Sequence, residues 1–209
     1  MIVMTIVCIF PIALIRAMPY NDHDLSTFLS FSSATECPPP CFFGIRPGVT
    51  RADDALKILQ QHDWISDARM NASGRGYGDI RWAWSGAQPS LIDTTRPMRM
   101  TFYWDREDPN TARPEDSVIE TISFYTHVRI YDAQSWYGDP DAGAASVNIN
   151  DLIGYMAAYN GRASMFHLST ALPCPMNLLT FWEARTKITM SIGHLSGQQV
   201  PLSALIKTC

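Results

Sequence analysis

Residues 98–105 read MRMTFYWD and carry the clearest strand pattern in the chain. Every second position carries a large apolar side chain: Met98, Met100, Phe102 and Trp104. The positions between them carry Arg99, Thr101, Tyr103 and Asp105. A period of two residues is typical of a β-strand with one buried side. The segment therefore predicts a sheet with one apolar face and one face that a partner can reach.

Further strands are predicted at short intervals on both sides of this segment. They fall at residues 64–71, 79–85, 118–127, 163–170, 178–184 and 187–195. Segments with proline or glycine separate several of them, as in hairpin connections. The order of the strands indicates an antiparallel sheet.

Two segments have the period of an amphipathic helix. Thr50 is the predicted cap of the first helix, at about residues 51–61, and Asn150 that of the second. Their apolar stripes are Ala52, Ala55, Leu56 and Leu59, and Leu152, Ile153, Met156 and Tyr159. The predicted fold class is therefore α+β, an antiparallel sheet with helices packed on one face. It is either continuous or built from two similar α/β halves, 41–130 and 145–209.

The composition is that of a globular chain of 209 residues, 46% of them apolar, with a net charge of -4. This apolar content is enough for a core and excludes general disorder. The acidic balance disfavours nucleic acid as a partner, because phosphate would be repelled and no block of Lys or Arg offsets the repulsion.

The first 17 residues predict export or membrane attachment. Residues 1–15 read MIVMTIVCIFPIALI and carry no charge. The run is shorter than the ~20 residues of a spanning helix. A signal peptide or an uncleaved membrane anchor fits it, and a buried N-terminal strand or helix is the alternative. Residues 18–40 are predicted as a flexible tether, and residues 41–209 as an extracytoplasmic folded domain.

Four cysteines outside the apolar segment support export, because an even number predicts disulfides in an oxidising compartment. They are Cys37, Cys41, Cys174 and Cys209. The three prolines between Cys37 and Cys41 favour an extended backbone. We therefore expect each of these two to pair with a distant partner, Cys174 or Cys209.

The sequence contains no Walker loop, nucleophile elbow or zinc-binding helix. Three acidic clusters fall in predicted loops without the ligand spacing of a calcium site: 22–24, 105–108 and 139–141. We predict no metal and no cofactor. The competing hypothesis is a carbohydrate-active or other hydrolase that uses strand or loop carboxylates, with Glu120 and Glu183 as its acid and base.

Arg99, Thr101 and Tyr103 are the predicted partner-binding residues. Trp82, Trp84, Phe102 and Trp104 fit the alternation of a buried face, whereas Tyr103 lies on the opposite one. Aromatic and arginine side chains contribute most at interfaces. The sequence favours a noncatalytic binding module whose partner is a protein or a component of the cell envelope. The alternative is a face that is merely solvated.

Residues 37–50, CPPPCFFGIRPGVT, resemble the Pro-Cys-aromatic-x-Gly-Ile-x-Pro-Gly stretch of uncharacterised exported bacterial proteins. The turn at Gly48 to Thr50, followed by an amphipathic helix and a sheet, is more distantly similar to the small-lipoprotein and β-lactamase-inhibitor-protein type of α/β module. Proteins of this kind carry no assigned catalysis. The resemblance implies extracytoplasmic binding or envelope assembly and transfers no active-site residue.

Overall fold

The computed structural model describes residues 41–73, 76–104, 113–137, 139–147, 152–160, 164–173 and 178–192. The predicted export segment, 1–17, and the predicted tether, 18–40, lie outside these ranges. In the described part of the chain, no helix is long and apolar enough to cross a membrane.

Eight strands form one antiparallel sheet. In chain order they are β1 (Ile65–Ser73), β2 (Tyr77–Trp84), β3 (Met98–Tyr103), β4 (Ile119–Arg129), β5 (Ala142–Val147), β6 (Leu152–Asn160), β7 (Ser164–Pro173) and β8 (Arg185–Ile192). The order across the sheet is β1-β2-β3-β4-β8-β7-β6-β5. Two meanders of four strands therefore meet where β4 pairs with β8.

The predicted fold class, α+β with helices packed on one face, is wrong because strands dominate the fold. The described helices are α1 (Ala52–Gln61), α2 (Ile130–Tyr137) and α3 (Leu178–Glu183), with a single 3-10 turn at Pro114–Asp116. They contain only 10, 8 and 6 residues. The protein is a mainly β fold.

The predicted second helix is strand β6 instead. Leu152, Met156 and Tyr159 fit a helical stripe, but Tyr155 and Ala157 are the residues buried on the core side. These two are separated by two positions, which is the period of a strand. Pairing with β5 on one side and β7 on the other satisfies the backbone of β6. The segment therefore fits both periods, and its two neighbouring strands select the extended form.

Two further segments also differ from the prediction. Within the predicted strand at 178–184, residues 178–183 form helix α3 instead, and residues 130–147, where no element is predicted, contain α2 and β5. Phe181 of α3 is buried, and its ring lies 5.0 Å from that of Tyr155. The β-favouring Thr, Phe and Trp in α3 favour a strand, but this tertiary contact outweighs local propensity.

Helix α1 forms where the sequence predicts it, with Ala52, Ala55 and Leu59 buried beside β1 and β2. Its predicted cap is wrong. The Thr50 hydroxyl accepts a hydrogen bond from the Arg46 backbone N–H at 2.8 Å, and the capping position is Arg51 without a side-chain bond. The Ala52 N–H donates instead to the Ser117 carbonyl at 2.7 Å.

One hydrophobic core covers a single face of the sheet and includes residues of both meanders. Its largest fully buried side chains include Phe42, Phe102, Phe124 and Phe181. Phe42 and Phe124 stack with their ring centroids 5.1 Å apart, which joins the chain before α1 to the central strand β4. The opposite face of the sheet is consequently free of this core.

Candidate binding site on the polar face of the sheet

The strands at the centre of the sheet carry polar side chains on the face opposite the core. The strand register aligns these side chains in rows. One row is Arg81, Arg99, Ser123, Thr189 and His167, and the next is Asp79, Thr101, Thr121 and Ser191. We call these two rows, together with Tyr77, Tyr103, Tyr125 and Lys187, the polar face.

Short hydroxyl side chains form the buried floor of the polar face. The Thr101 and Thr121 hydroxyls lie 2.5 Å apart, and those of Ser123 and Thr189 lie 3.1 Å apart. Thr101 is only 8% exposed. Of the three predicted binding residues, Thr101 therefore supports the neighbouring side chains and is not itself accessible to a partner.

Arg99 and Tyr103 are both exposed, on the same strand as Thr101. Tyr103 is 53% exposed, and its ring centroid lies 5.2 Å from that of Tyr77. By contrast, Trp82 and Trp104 are buried in the core, as their alternation predicts. The accessible aromatic surface at this position is thus a pair of tyrosines.

Charges on the polar face are paired at one edge and unpaired at the centre. Arg69 on β1 and Arg81 on β2 each bind an aspartate two residues earlier, at 3.0 and 2.5 Å. At the centre, no described carboxylate lies within ion-pair distance of Arg96, Arg99 or Lys187. We call these three cations the basic patch.

Arg96 and Lys187 both lie close to the ring of Tyr125. The Arg96 guanidinium is 5.3 Å, and the Lys187 amine 5.9 Å, from the centroid of Tyr125. Burial, followed by the charge of Arg99, lowers the pKa of the Lys187 amine. A lowered pKa shows that the surroundings disfavour the charged amine of Lys187. A bound anion would stabilise that charged form.

His167 and Ser191 lie within hydrogen-bond distance of each other, a contact that no local sequence pattern indicates. The distance from His167 Nε2 to Ser191 Oγ is 3.0 Å, but Nδ1 contacts Met156 Sδ at 3.1 Å. Burial, then the charge of Lys187, lowers the pKa of His167. In an activated pair, a third group orients the base, usually through a hydrogen bond. A thioether is a weak acceptor for that purpose.

The structure does not bring the two predicted catalytic carboxylates together. Glu120 lies at the start of β4, whereas Glu183 is the last residue of α3 and lies near the far end of that strand. The strand between them advances roughly 3.3 Å per residue, which separates them by about 30 Å. The predicted acid-and-base arrangement is therefore wrong, and so is the placement of Glu183 in a strand.

Cys41 is buried. Cys37, Cys174 and Cys209 lie outside the described residues, so the predicted pairing stays a prediction. The acidic clusters at 22–24 and 105–108 also lie outside them. Within the described ranges, no three His, Cys, Asp or Glu side chains are grouped so that they could hold a metal ion.

Comparison of the chain with protein-family models, curated proteins and solved structures finds no match.

Proposed function

We propose that this protein is an exported, noncatalytic binding module that holds an acidic segment of a partner protein against the polar face of its sheet. The single observation that carries this proposal is the basic patch. Its cations have no counter-ion among the described residues, and the exposed Tyr103 lies on the same face. The chain as a whole has a net charge of -4.

The distribution of charge gives this face its selectivity. At the β1 and β2 edge, each arginine is neutralised by its own aspartate, so the unpaired positive charge is concentrated at Arg99 and Lys187. Complementary charge of this kind increases the association rate and excludes wrong partners. An acidic segment therefore has one favoured position on the face.

The sheet also provides a rigid support for the contact residues. Arg99 and Tyr103 project from a strand whose neighbours on both sides are hydrogen-bonded to it. The part-buried hydroxyl pairs beside them tie β3 to β4 and β4 to β8. The backbone at both residues is therefore ordered before binding, and tyrosine and arginine are residue types that contribute most at interfaces.

We expect the double substitution Arg99→Ala with Tyr103→Ala to weaken binding of a fluorescein-labelled oligoglutamate peptide by about tenfold or more. Because both side chains are exposed, the melting temperature should change by no more than about 2 °C. Fluorescence anisotropy at low salt measures the affinity, and calorimetry measures the melting temperature.

Arg69→Ala is the matched control, because Arg69 lies on the same face but is already paired with Asp67. It should leave the affinity for oligoglutamate nearly unchanged. Equal binding by the double variant and the unaltered protein would contradict the proposal. A large loss of stability in the double variant would instead place the two side chains in the core.

A further inference from the structure

A cleft of about 690 Å³ lies at one end of the polar face, between the loop after Ile92, strands β4, β7 and β8, and helix α3. Its volume is in the range of small-molecule sites, roughly 300–1,000 Å³. Two cations of the basic patch, Arg96 and Lys187, line it together with the Tyr125 ring. Arg99 and Tyr103 are not among its lining residues.

The loop that supplies Arg96 is fixed by hydrogen bonds. The Asp93 backbone N–H donates to the Tyr125 carbonyl at 3.0 Å, and Ile92 bridges to Thr126 of β4. The Asp93 carboxylate in turn accepts hydrogen bonds from the Thr95 backbone and hydroxyl, at 3.0 and 2.5 Å. These bonds place Arg96 beside Tyr125 before any ligand arrives.

Neither of the two carboxylates in the cleft forms an ion pair with these cations. One oxygen of Asp93 accepts two hydrogen bonds from Thr95, and these bonds, with the charges of His127 and Arg185, lower the pKa of Asp93. Glu183 is exposed at the end of α3 and makes no described ion pair with Arg96 or Lys187. Arg96 and Lys187 are therefore available to bind an anionic group.

The remaining polar groups of the cleft favour a ligand that carries hydroxyls. Thr95 donates its hydroxyl proton to Asp93, and Thr170 donates its own to the Arg185 carbonyl at 2.9 Å. Each hydroxyl oxygen keeps acceptor capacity that it can offer to a ligand O–H. Ser169, which also lines the cleft, makes no side-chain hydrogen bond with the described residues and can donate or accept.

From this arrangement we propose that the cleft binds a small polyhydroxylated carboxylate, of the sugar-acid class. Arg96 and Lys187 hold the carboxylate, while Thr95, Thr170 and Ser169 hydrogen-bond the ligand hydroxyls. This site shares Arg96 and Lys187 with the basic patch and adds a small-molecule ligand to the proposed protein-binding function.

Calorimetric titration of the full chain with glucuronate, glucose and acetate separates the two parts of the recognition. Glucose has the hydroxyls without the carboxylate, and acetate has the carboxylate without the hydroxyls. We expect glucuronate to bind at least about tenfold more tightly than either, since each contributes only part of the contacts. Equal affinity for acetate or for glucose, or no binding of glucuronate, would overturn the proposal.

Two substitutions test the assigned residues. Lys187→Met keeps most of the length of the side chain and removes its charge, and Arg96→Gln acts at an exposed loop position where folding is not at risk. Each should weaken glucuronate binding by about tenfold. Lys57→Met is the matched control, because Lys57 lies on α1 and pairs with Asp53 there. Unchanged affinity in both cleft variants would contradict the assignment.

Thr170→Val tests the hydroxyl contacts separately, because it is close in shape but has no acceptor oxygen. It should reduce the preference for glucuronate over acetate by a few fold and leave acetate binding unchanged. An unchanged preference would exclude Thr170 from the site. Lys187 belongs to both sites, so Arg99→Ala with Tyr103→Ala, which changes no cleft residue, separates the two proposals: it should weaken oligoglutamate binding and keep glucuronate binding. If the unaltered chain binds only one of the two ligands, the proposal for the other ligand has failed.

Discussion

Phe124→Ala is expected to lower the free energy of unfolding by about 4 kcal/mol, the range for removing a fully buried phenylalanine. Phe124 has no exposed surface, lies on the central strand β4 and stacks on Phe42 at 5.1 Å. Its removal leaves a cavity between the two meanders that the surrounding strands cannot readily fill. Urea denaturation followed by tryptophan fluorescence measures the change.

Tyr103→Ala is the matched control for that substitution. It also removes a large aromatic ring from a strand of the same sheet, but from the polar face, where Tyr103 is 53% exposed. We expect a loss below about 1 kcal/mol. Similar losses from the two substitutions would mean that the core and polar faces of the sheet have been assigned wrongly.

Gly76→Ala is expected to destabilise the fold by about 3 kcal/mol, for two reasons that add. Gly76 has a φ of +78°, which an L side chain rarely adopts, and a Cβ atom there would lie 2.7 Å from the Trp104 carbonyl oxygen. That oxygen belongs to the backbone beside the β2 and β3 pair and cannot move alone. The midpoint of urea denaturation reports the loss.

Gly86→Ala separates the penalty of a positive φ from that of the close approach of a Cβ atom. Gly86 also has a positive φ, of +99°, but a Cβ atom there would meet nothing within 4 Å. Only the conformational penalty applies, so we expect a loss of about 1 kcal/mol. If the two alanine variants were equally stable, the close approach at Gly76 would have no energetic consequence and that part of the account would be wrong.

The sequence predicts the first meander well because its signals are local. Apolar and polar side chains alternate throughout β3 and from Asp79 to Trp82 in β2, and α1 has a single apolar stripe. In the second meander the local signals conflict. The small residues Gly154, Ala157 and Ala158 of β6 give neither period a clear advantage, so pairing with distant strands determines the conformation.

The same difference between local signals and long-range pairing applies to the candidate binding site. Alternation alone places Arg99 and Tyr103 on the accessible face, whereas the burial of Thr101 depends on the hydroxyl of Thr121 across the next strand. Lys187 reaches the basic patch only because β8 pairs with β4, some sixty residues earlier in the chain. No local pattern in one sequence shows such a pairing, and the cleft formed with Arg96 could not be predicted for that reason.

Backbone amide chemical shifts, mapped as oligoglutamate is titrated into the full chain, locate the surface that binds an acidic segment. We expect the largest perturbations to lie on β3, β4 and β8, around Arg99, Tyr103 and Lys187, and to vanish at high salt. Perturbations concentrated on α1, around Lys57, or spread evenly over the surface would contradict the claim that the polar face is the binding surface.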